Sequence, residues 1–345
     1  MAEALEIKDA DFDAGGRSIL NAPTFNRRKG FIMRQGSLGI GIVAIACVLL
    51  AQAAPVHAAA GQTWVSGTGT DAGATCPISA PCRTFQYAHN QTNSGGTIYV
   101  LSSGIFGALT ISKSISIVAD GVEAAIHTTA GSTAITINTP GVIVYLRGLT
   151  IDVSGANVNG IYLLSGAALH VQNSLIRRAT TGIRFAPASG TSELYVTDSV
   201  VADTISVGIH VRPNSSGSAR AWLDRVRVEN GVNGIIFSGL ETSGTVVGTV
   251  RDNASVGNSS RGIIATNSIS AGVNVTVDRS AFINNGTGIL VDNNALAILR
   301  IGDSTVSGNA IGLATAGGGV IQSFGTNKIL GNTTDGVTPT PVALK

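Results

Sequence analysis

The chain has 345 residues and a formal net charge of +2, from 22 Lys and Arg against 20 Asp and Glu. A near-neutral chain without a concentrated basic face is not typical of nucleic-acid binding proteins, so no nucleic-acid partner is expected. Only 12% of the residues are charged and 44 are glycine. Val, Ile, Thr, Ser and Asn fill much of the rest, a mixture that disfavours helices and favours short strands joined by tight turns.

Residues 1–60 have the pattern of an export leader. Four basic residues between positions 27 and 34 precede an apolar segment, residues 38–54, and small residues follow Pro55. Together these features predict a secretory signal peptide that is cleaved after Ala58 or Ala60. Translation from Met33 would give a signal peptide of ordinary length, whereas translation from Met1 would give a long leader.

The apolar segment of the leader is short for a membrane span and contains two glycines and a glutamine. We therefore expect a mature chain that has no stable membrane span and is secreted or periplasmic. Residues 61–82 then carry the two remaining cysteines, Cys76 and Cys82. An oxidising compartment favours a disulfide between them. No further Cys or His lies at ligand spacing, so no metal site is expected.

A short amphipathic helix is predicted directly after this segment. Between residues 83 and 92, Phe85, Ala88 and His89 fall on one side of a helix, and Thr84 is a candidate N-cap. A helix at this position can cover the open end of a coiled sheet, which would otherwise expose apolar side chains and unpaired edge groups. His89 is therefore interpreted as a packed residue rather than a ligand.

The rest of the chain is organised by a Gly-Ile pair that recurs at intervals of 22 to 28 residues. Residues one and three positions after each glycine are apolar, so the period of two places them in the interior. The glycine itself suits a sharp turn that needs positive φ. The repeat predicts one solenoid domain over residues 83–335 and a tail over 336–345. The pairs begin at Gly160, Gly182, Gly208, Gly234, Gly262 and Gly288, with Gly312-Leu313 as a relaxed seventh.

These features resemble the right-handed parallel β-helix, or pectate-lyase-like, superfamily. The resemblance is carried by the segment Gly95–Val100, by the strand pair within residues 111–117 and by the Gly-Ile coils, across residues 83–335. It implies an all-β fold, a single-stranded right-handed parallel β-helix with a short N-terminal capping helix. The resemblance is specific for the fold and not for an activity.

Two polar columns are expected at the turns. Stacked asparagines can satisfy the backbone of successive turns, and a row of aspartates would repel unless bonded to turn amides or paired with adjacent arginines. We interpret both rows as turn-capping ladders rather than as a calcium site. The asparagines are Asn230, Asn258, Asn284 and Asn309; the aspartates are Asp198, Asp224, Asp252, Asp278 and Asp303; the arginines are Arg225, Arg251 and Arg279.

The outward column two positions after each glycine contains the candidate binding residues. It begins with Tyr162, Arg184 and His210, and Arg212 lies two residues further along the last of these coils. The column then becomes apolar, with Ile236, Ile264 and Leu290. This apolar stripe predicts self-association, contact with the segment 240–250, or only a β-branched ladder that favours strands.

A second candidate cluster contains Arg178, Asp203 and Glu229, each five residues after the Asn or Asp of its coil. If the ladder holds, Asp203 and Glu229 are neighbours about 5 Å apart. Such a pair could act on a glycosidic bond, and the arginine could bind a uronate. A surface ion-pair network is the favoured interpretation.

No catalytic residue is assigned from the resemblance. Motifs of hydrolases with this fold are absent from the sequence, and Trp222-Leu223-Asp224-Arg225 matches the lyase motif Trp-Ile-Asp-His only in part. We expect an exported, non-catalytic protein that binds polysaccharide or protein along an outward sheet. The alternative is a lyase or glycoside hydrolase acting on acidic polysaccharide. No cofactor is expected, and calcium enters only under the lyase alternative. An aromatic content of 5% argues against a sugar-processing groove, with Tyr162 as the exposed aromatic candidate.

Overall fold

The computed structural model of the protein describes residues 60–128, 131–155, 157–268 and 270–343. Apart from Ala60, the predicted leader, with its two candidate start sites, lies outside the described residues. The chain divides into Met1–Val56 and His57–Lys345, and every described residue belongs to the second unit. Among the described residues, no helix has the length and hydropathy needed to cross a membrane.

The described residues form a parallel β-helix with one short α-helix, which confirms the predicted all-β fold. Each complete coil contributes one strand to each of three parallel sheets. The first, which we call the long-strand sheet, contains β1 (Ala60–Val65), β2 (Thr92–Val100), β5 (Ile115–Val118), β8 (Ile143–Arg147), β11 (Ala168–Gln172), β14 (Thr191–Thr197), β17 (Ser218–Asp224), β20 (Thr245–Arg251), β23 (Gly272–Asp278), β26 (Ala297–Gly302), β29 (Val320–Ser323) and β32 (Thr340–Pro341).

The other two sheets have ten strands each. The Gly-Ile sheet contains β4 (Leu109–Ile111), β7 (Ile135–Asn138), β10 (Asn159–Ser165), β13 (Thr181–Phe185), β16 (Val207–Val211), β19 (Asn233–Gly239), β22 (Arg261–Asn267), β25 (Thr287–Asp292), β28 (Ile311–Thr315) and β31 (Thr334–Gly336). The short-strand sheet contains β3 (Gly104–Ile105), β6 (Ala124–Thr128), β9 (Leu149–Val153), β12 (Leu175–Arg177), β15 (Val200–Ala202), β18 (Arg227–Glu229), β21 (Ala254–Val256), β24 (Ala281–Ile283), β27 (Thr305–Ser307) and β30 (Lys328–Ile329).

The first coil contains the predicted helix and disulfide. Helix α1 (Phe85–Gln91) buries Phe85, Ala88 and His89, and the Thr84 hydroxyl accepts a hydrogen bond from the Tyr87 N–H at 3.2 Å. Cys76 and Cys82 are bonded to each other. The solenoid begins earlier and ends later than predicted, because β1 pairs with β2 and β32 pairs with β29. The segment 61–82 is therefore part of the first coil.

The apolar residue after each repeat glycine lies in the core, in register with its equivalents in neighbouring coils. Ile183 pairs with Ile209, and Ile209 pairs with Ile235, all three fully buried. The residues two positions further on, Phe185 and Phe237 among them, are also fully buried. Burial of one such side chain contributes roughly 1.5–3 kcal/mol. The column predicted from the repeat is confirmed.

The repeat glycines do not occupy the positive-φ turn that the sequence suggested. Gly182, Gly208 and Gly234 lie within strands, and positive φ occurs elsewhere in each coil. They are needed for close approach between coils. A Cβ on Gly208 would lie 2.7 Å from the Gly234 carbonyl oxygen and would also collide with Cγ1 of Val228.

Replacing Gly208 by alanine is expected to lower the free energy of unfolding by about 2 kcal/mol, because overpacking of a core typically costs roughly 1–3 kcal/mol. Denaturant unfolding measures the effect. Gly272→Ala is the matched control, since a Cβ there meets no atom within 4 Å. Equal midpoints for the two variants would contradict the assignment of Gly208 to coil packing.

The polar turn columns exist, but two members of the predicted aspartate row are displaced by one residue. Positive φ is found after the long strands at Asp198, Arg225, Asp252, Arg279 and Asp303. Asp224 and Asp278 instead end their strands. The column thus alternates in charge: Arg225 donates to Asp198 at 2.7 and 3.1 Å, and Arg279 donates to Asp252 at 2.9 and 3.0 Å. These hydrogen bonds lower the pKa of Asp198 and Asp252.

The internal asparagine ladder also differs from the predicted row. Asn258 donates to Asn285 at 2.9 Å, Asn285 to Asn309 at 3.1 Å, and Asn309 to Asn332 at 2.8 Å. The predicted members Asn230 and Asn284 are exposed residues with positive φ, one position before the inward residue of their coils. The predictions for Asn230 and Asn284 are therefore wrong, and those for Asn258 and Asn309 are confirmed.

Candidate functional site

The structure brings Tyr162, Arg184 and His210 together on the outer face of the Gly-Ile sheet. Tyr162 on β10 pairs with Arg184 on β13, which pairs with His210 on β16. Parallel pairing separates successive members by about 4.8 Å. All three side chains are half-buried. They form one continuous column because each alternates with a core residue of its strand.

Arg184 is held against an aromatic ring and lacks an anionic partner. Its guanidinium lies over the Tyr162 ring, 4.9 Å from the ring centroid. Within the described residues, Arg184 makes no salt bridge, and its buried Nε has no hydrogen-bond partner. A cation–π contact contributes roughly 0.5–2 kcal/mol and leaves N–H groups available for an anion. Arg184 is thus a positioned donor with an unfilled hydrogen-bonding capacity.

Arg212 adds a second positive charge immediately after β16. It pairs with Glu241, which precedes β20 in the chain, and 27% of its side chain is exposed. Burial, followed by the charge of Arg184, lowers the pKa of Arg212. Arginine remains protonated at all physiological pH values. The guanidinium groups of Arg184 and Arg212 therefore make the same region of the surface positive. Glu241 compensates for the charge of Arg212 only.

His210 lies between these two arginines in an environment that disfavours its charged form. Burial first, and then the charges of Arg212 and Arg184, lower the pKa of His210 to about 4. The imidazole is consequently neutral at neutral pH. A neutral imidazole can donate through one nitrogen and accept through the other.

A groove continues along the axis from His210. Ile236, Ile264 and Leu290 line it, and the last two are only 7% and 9% exposed. Their register is as predicted, but they offer little apolar surface for self-association, which stays a prediction. Leu240, at the start of the segment 240–250, lines the same groove, whereas residues 245–251 form β20 of another sheet.

The far part of the groove contains polar groups that sequence reasoning did not combine with the site. The cleft has a volume of about 290 Å³, and its lining includes Arg261, Asp292 and Asn293 in addition to the predicted Arg212. One carboxylate oxygen of Asp292 is buried without a hydrogen-bond partner among the described residues. Arg261 directly precedes the repeat pair Gly262-Ile263, and this position could have identified it from the sequence as a residue near the column. Glu241 lies in a loop outside the repeat, where periodicity carries no information.

The proposed neighbourhood of Asp203 and Glu229 is not observed. Glu229 pairs with Ala202 on the neighbouring strand, and its carboxylate pairs with Arg227. The residue that follows Asp203 in its column is Asn230, whose side-chain amide donates to the Asp203 carboxylate at 3.4 Å. The predicted carboxylate pair is therefore wrong, because Glu229 lies one residue before the position that pairs with Asp203. The reason is that Asp203 was counted from the turn residue Asp198, whereas Glu229 was counted from Asp224, which lies one residue before the turn residue Arg225.

Arg178 belongs to a structural cluster. Together with Arg177 it binds the buried carboxylate of Asp152, with Nε to oxygen distances of 2.6 Å for Arg178 and 2.9 Å for Arg177. Only 2% of the Asp152 side chain is exposed. Arg178 thus has a partner, in contrast to Arg184.

Comparison with solved structures places the fold among known proteins. The pectate lyase Pel9A superposes with a TM-score of 0.53 at 14% identity, over 82% of this chain and 77% of that one. The protein has a parallel β-helix fold. The A-module of mannuronan C-5 epimerase AlgE6 from Azotobacter vinelandii gives a TM-score of 0.50 at 18% identity, over 69% of this chain and 68% of that one. No protein-family profile and no curated protein matches the sequence. These likenesses establish the fold alone.

Proposed function

We propose that the protein is exported and binds an acidic polysaccharide in the groove over the Gly-Ile sheet. The observation that carries this proposal is Arg184, stacked on Tyr162 with a buried and unpaired Nε, next to a second guanidinium. An anionic group such as a uronate carboxylate fits this arrangement, since charge-assisted hydrogen bonds to arginine are strong and directional. The two solved structures are named for pectate and mannuronan, which are acidic polysaccharides.

Export is supported by the Cys76–Cys82 disulfide, because structural disulfides are typical of oxidising compartments. The cleft runs along the axis from His210 to Leu290 and Asp292, so a polymer bound at Arg184 can continue in that direction. His210, Arg261 and Asn293 supply further hydrogen-bonding groups for the hydroxyls of such a chain.

Affinity electrophoresis in gels containing polygalacturonate or mannuronan tests the proposal. The wild-type protein is expected to be retarded, and less so as salt increases, because salt screens the attraction. Arg184→Ala is expected to weaken binding at least tenfold, since a hydrogen bond to a charged group contributes about 1.5–3 kcal/mol. Arg251→Ala is the control, because it removes the same charge from the exposed end of strand β20 in another sheet. No retardation of the wild type, or equal retardation of both variants, would refute acidic-polysaccharide binding.

A lyase is the second candidate function, and the neutral His210 favours it. A neutral imidazole can accept a proton from a carbon next to a carboxylate whose charge the two arginines compensate. The same protein samples should therefore be assayed for unsaturated chain ends. Formation of such ends by the wild type and not by His210→Gln would replace the binding function with catalysis.

A further inference from the structure

Aromatic residues are concentrated on a different face of the solenoid. The chain has five Tyr and two Trp, and five of these seven project outward from the long-strand sheet. Every second residue of a strand faces outward, and each of the five alternates with buried residues. A chain with only seven Tyr and Trp residues would not be expected to place five of them on one surface unless that surface has a role. The five are Trp64, Tyr99, Tyr145, Tyr195 and Trp222.

Four aromatic side chains occupy consecutive positions of one outward column. Tyr145 pairs with His170, His170 with Tyr195, and Tyr195 with Trp222. The Tyr145 and His170 rings stack at a centroid distance of 4.2 Å, and the His170 and Tyr195 rings at 4.6 Å. Tyr145 is 47% exposed and Trp222 is 41% exposed. This stack fixes the orientation of the Tyr145, His170 and Tyr195 rings before any ligand arrives, which limits the entropy lost on binding.

The column ends in a cleft on each side. The neighbour of Tyr145 in the preceding coil is Ser116, and the neighbour of Trp222 in the next coil is Thr249. Both are too small to cover an aromatic ring. A cleft of about 220 Å³ lies beside Tyr145 and Ser116, and one of about 200 Å³ beside Trp222 and Thr249. Each cleft thus combines an aromatic ring, a hydroxyl group and open space.

The charged residues around these clefts already have partners. Glu193 accepts a hydrogen bond from the Tyr195 hydroxyl at 2.8 Å and lies 3.9 Å from Arg220. Arg147 pairs with Asp120 at 2.9 Å. In contrast to Arg184, Glu193, Arg220 and Arg147 each have a counter-charge, so the two clefts are not suited to a charged polymer.

A peptide strand is also a poor occupant. The strands that carry the column are hydrogen-bonded on both sides, and addition of an extended peptide requires a free strand edge. A sugar ring, by contrast, is amphipathic: its C–H groups pack on an aromatic surface while its hydroxyls reach hydrogen-bonding side chains.

We propose that the aromatic column Tyr145–His170–Tyr195–Trp222 binds a neutral polysaccharide that lies along the solenoid axis, with sugar rings packed in the clefts at Tyr145 and Trp222. This site is separate from the groove over the Gly-Ile sheet. With both occupied, one molecule bridges an acidic and a neutral polysaccharide.

The test is affinity electrophoresis of the purified protein in gels containing a soluble β-glucan, a mannan or a xylan. The wild type is expected to be retarded by at least one of them. Trp222→Ala and Tyr145→Ala should each weaken this binding about tenfold, while Arg184→Ala should leave it unchanged. Ile298→Ala is the matched control, because Ile298 is half-buried on the outer face of the same sheet and lines neither cleft.

The proposal is overturned if none of the three neutral polysaccharides retards the wild type, or if Ile298→Ala weakens retardation as much as Trp222→Ala. It is also overturned if the wild type is a dimer in sedimentation that Trp222→Ala converts to a monomer, since the column would then be a protein interface. Retardation by polygalacturonate should be unchanged in Trp222→Ala, so the two sites succeed or fail independently. Melting curves of each variant confirm that loss of binding is not loss of fold.

Discussion

Replacing Asn285 by alanine is expected to lower the free energy of unfolding by about 3 kcal/mol or more. The Asn285 side chain donates to the Ser255 carbonyl at 3.0 Å and to the Asn309 side chain at 3.1 Å. Its oxygen accepts from the backbone and side-chain N–H groups of Asn258 at 3.0 and 2.9 Å. Alanine would remove all four of these hydrogen bonds from a buried turn, and each buried group left unsatisfied costs about 1–3 kcal/mol. Denaturant unfolding followed by circular dichroism measures the loss.

The preceding residue provides a control of the same type. Asn284 is exposed and has φ of 56°, a conformation that glycine adopts without strain. Asn284→Gly is therefore expected to change stability by less than about 1 kcal/mol. A loss comparable to that of Asn285→Ala would mean that the internal ladder does not dominate the stability of this turn.

The contrast between these two residues shows where sequence reasoning fails. Counting six residues after each aspartate selects Asn284 instead of Asn285, because Asp278 lies one residue before the turn residue Arg279. A displacement of one residue moves a side chain between the core and the solvent. The register of the Gly-Ile pairs was predicted correctly, because each coil has two adjacent requirements at the same position. One is a residue without a Cβ, and the other is a buried aliphatic residue directly after it.

The same error explains the displaced aspartates. Asp224 and Asp278 were aligned with Asp198 by residue type, but the turn positions are taken by Arg225 and Arg279. Positive φ is uncommon for residues that have a Cβ, and arginine is not among the types enriched there. Residue propensities would therefore not have placed arginine at this turn. The pairing of each arginine with the aspartate of the preceding coil becomes visible only when the coils are stacked.

The candidate binding column was predictable because it is counted from the repeat glycine. Tyr162, Arg184 and His210 follow that glycine by two residues in successive coils, and the structure stacks them in this order. The aromatic column was missed because it lies three residues before the turn position of each coil, a reference point that the sequence does not mark uniformly. That turn position is occupied by four different residue types in successive coils, so residue identity does not mark it. The residues are Gly148, Asn173, Asp198 and Arg225.

Replacing Asp152 by asparagine is expected to destabilise the fold by about 3 kcal/mol. The buried carboxylate compensates for both Arg177 and Arg178, and removal of one partner from a buried ion pair typically costs roughly 3–5 kcal/mol. The low end applies because the two arginine side chains are 42% and 56% exposed and can regain water. Urea unfolding is the measurement.

Asp120→Asn is the matched control for this cluster. Asp120 pairs with Arg147, but the two side chains are 53% and 50% exposed, and an exposed ion pair contributes at most about 1 kcal/mol. Equal unfolding midpoints for the two variants would remove the structural role assigned to Asp152. A large loss for Asp152→Asn alone places Arg178 in the framework that supports the coil, because its guanidinium is engaged by the buried carboxylate instead of facing a ligand. Arg184, which has no such partner among the described residues, then remains the arginine on which the proposed anion binding depends.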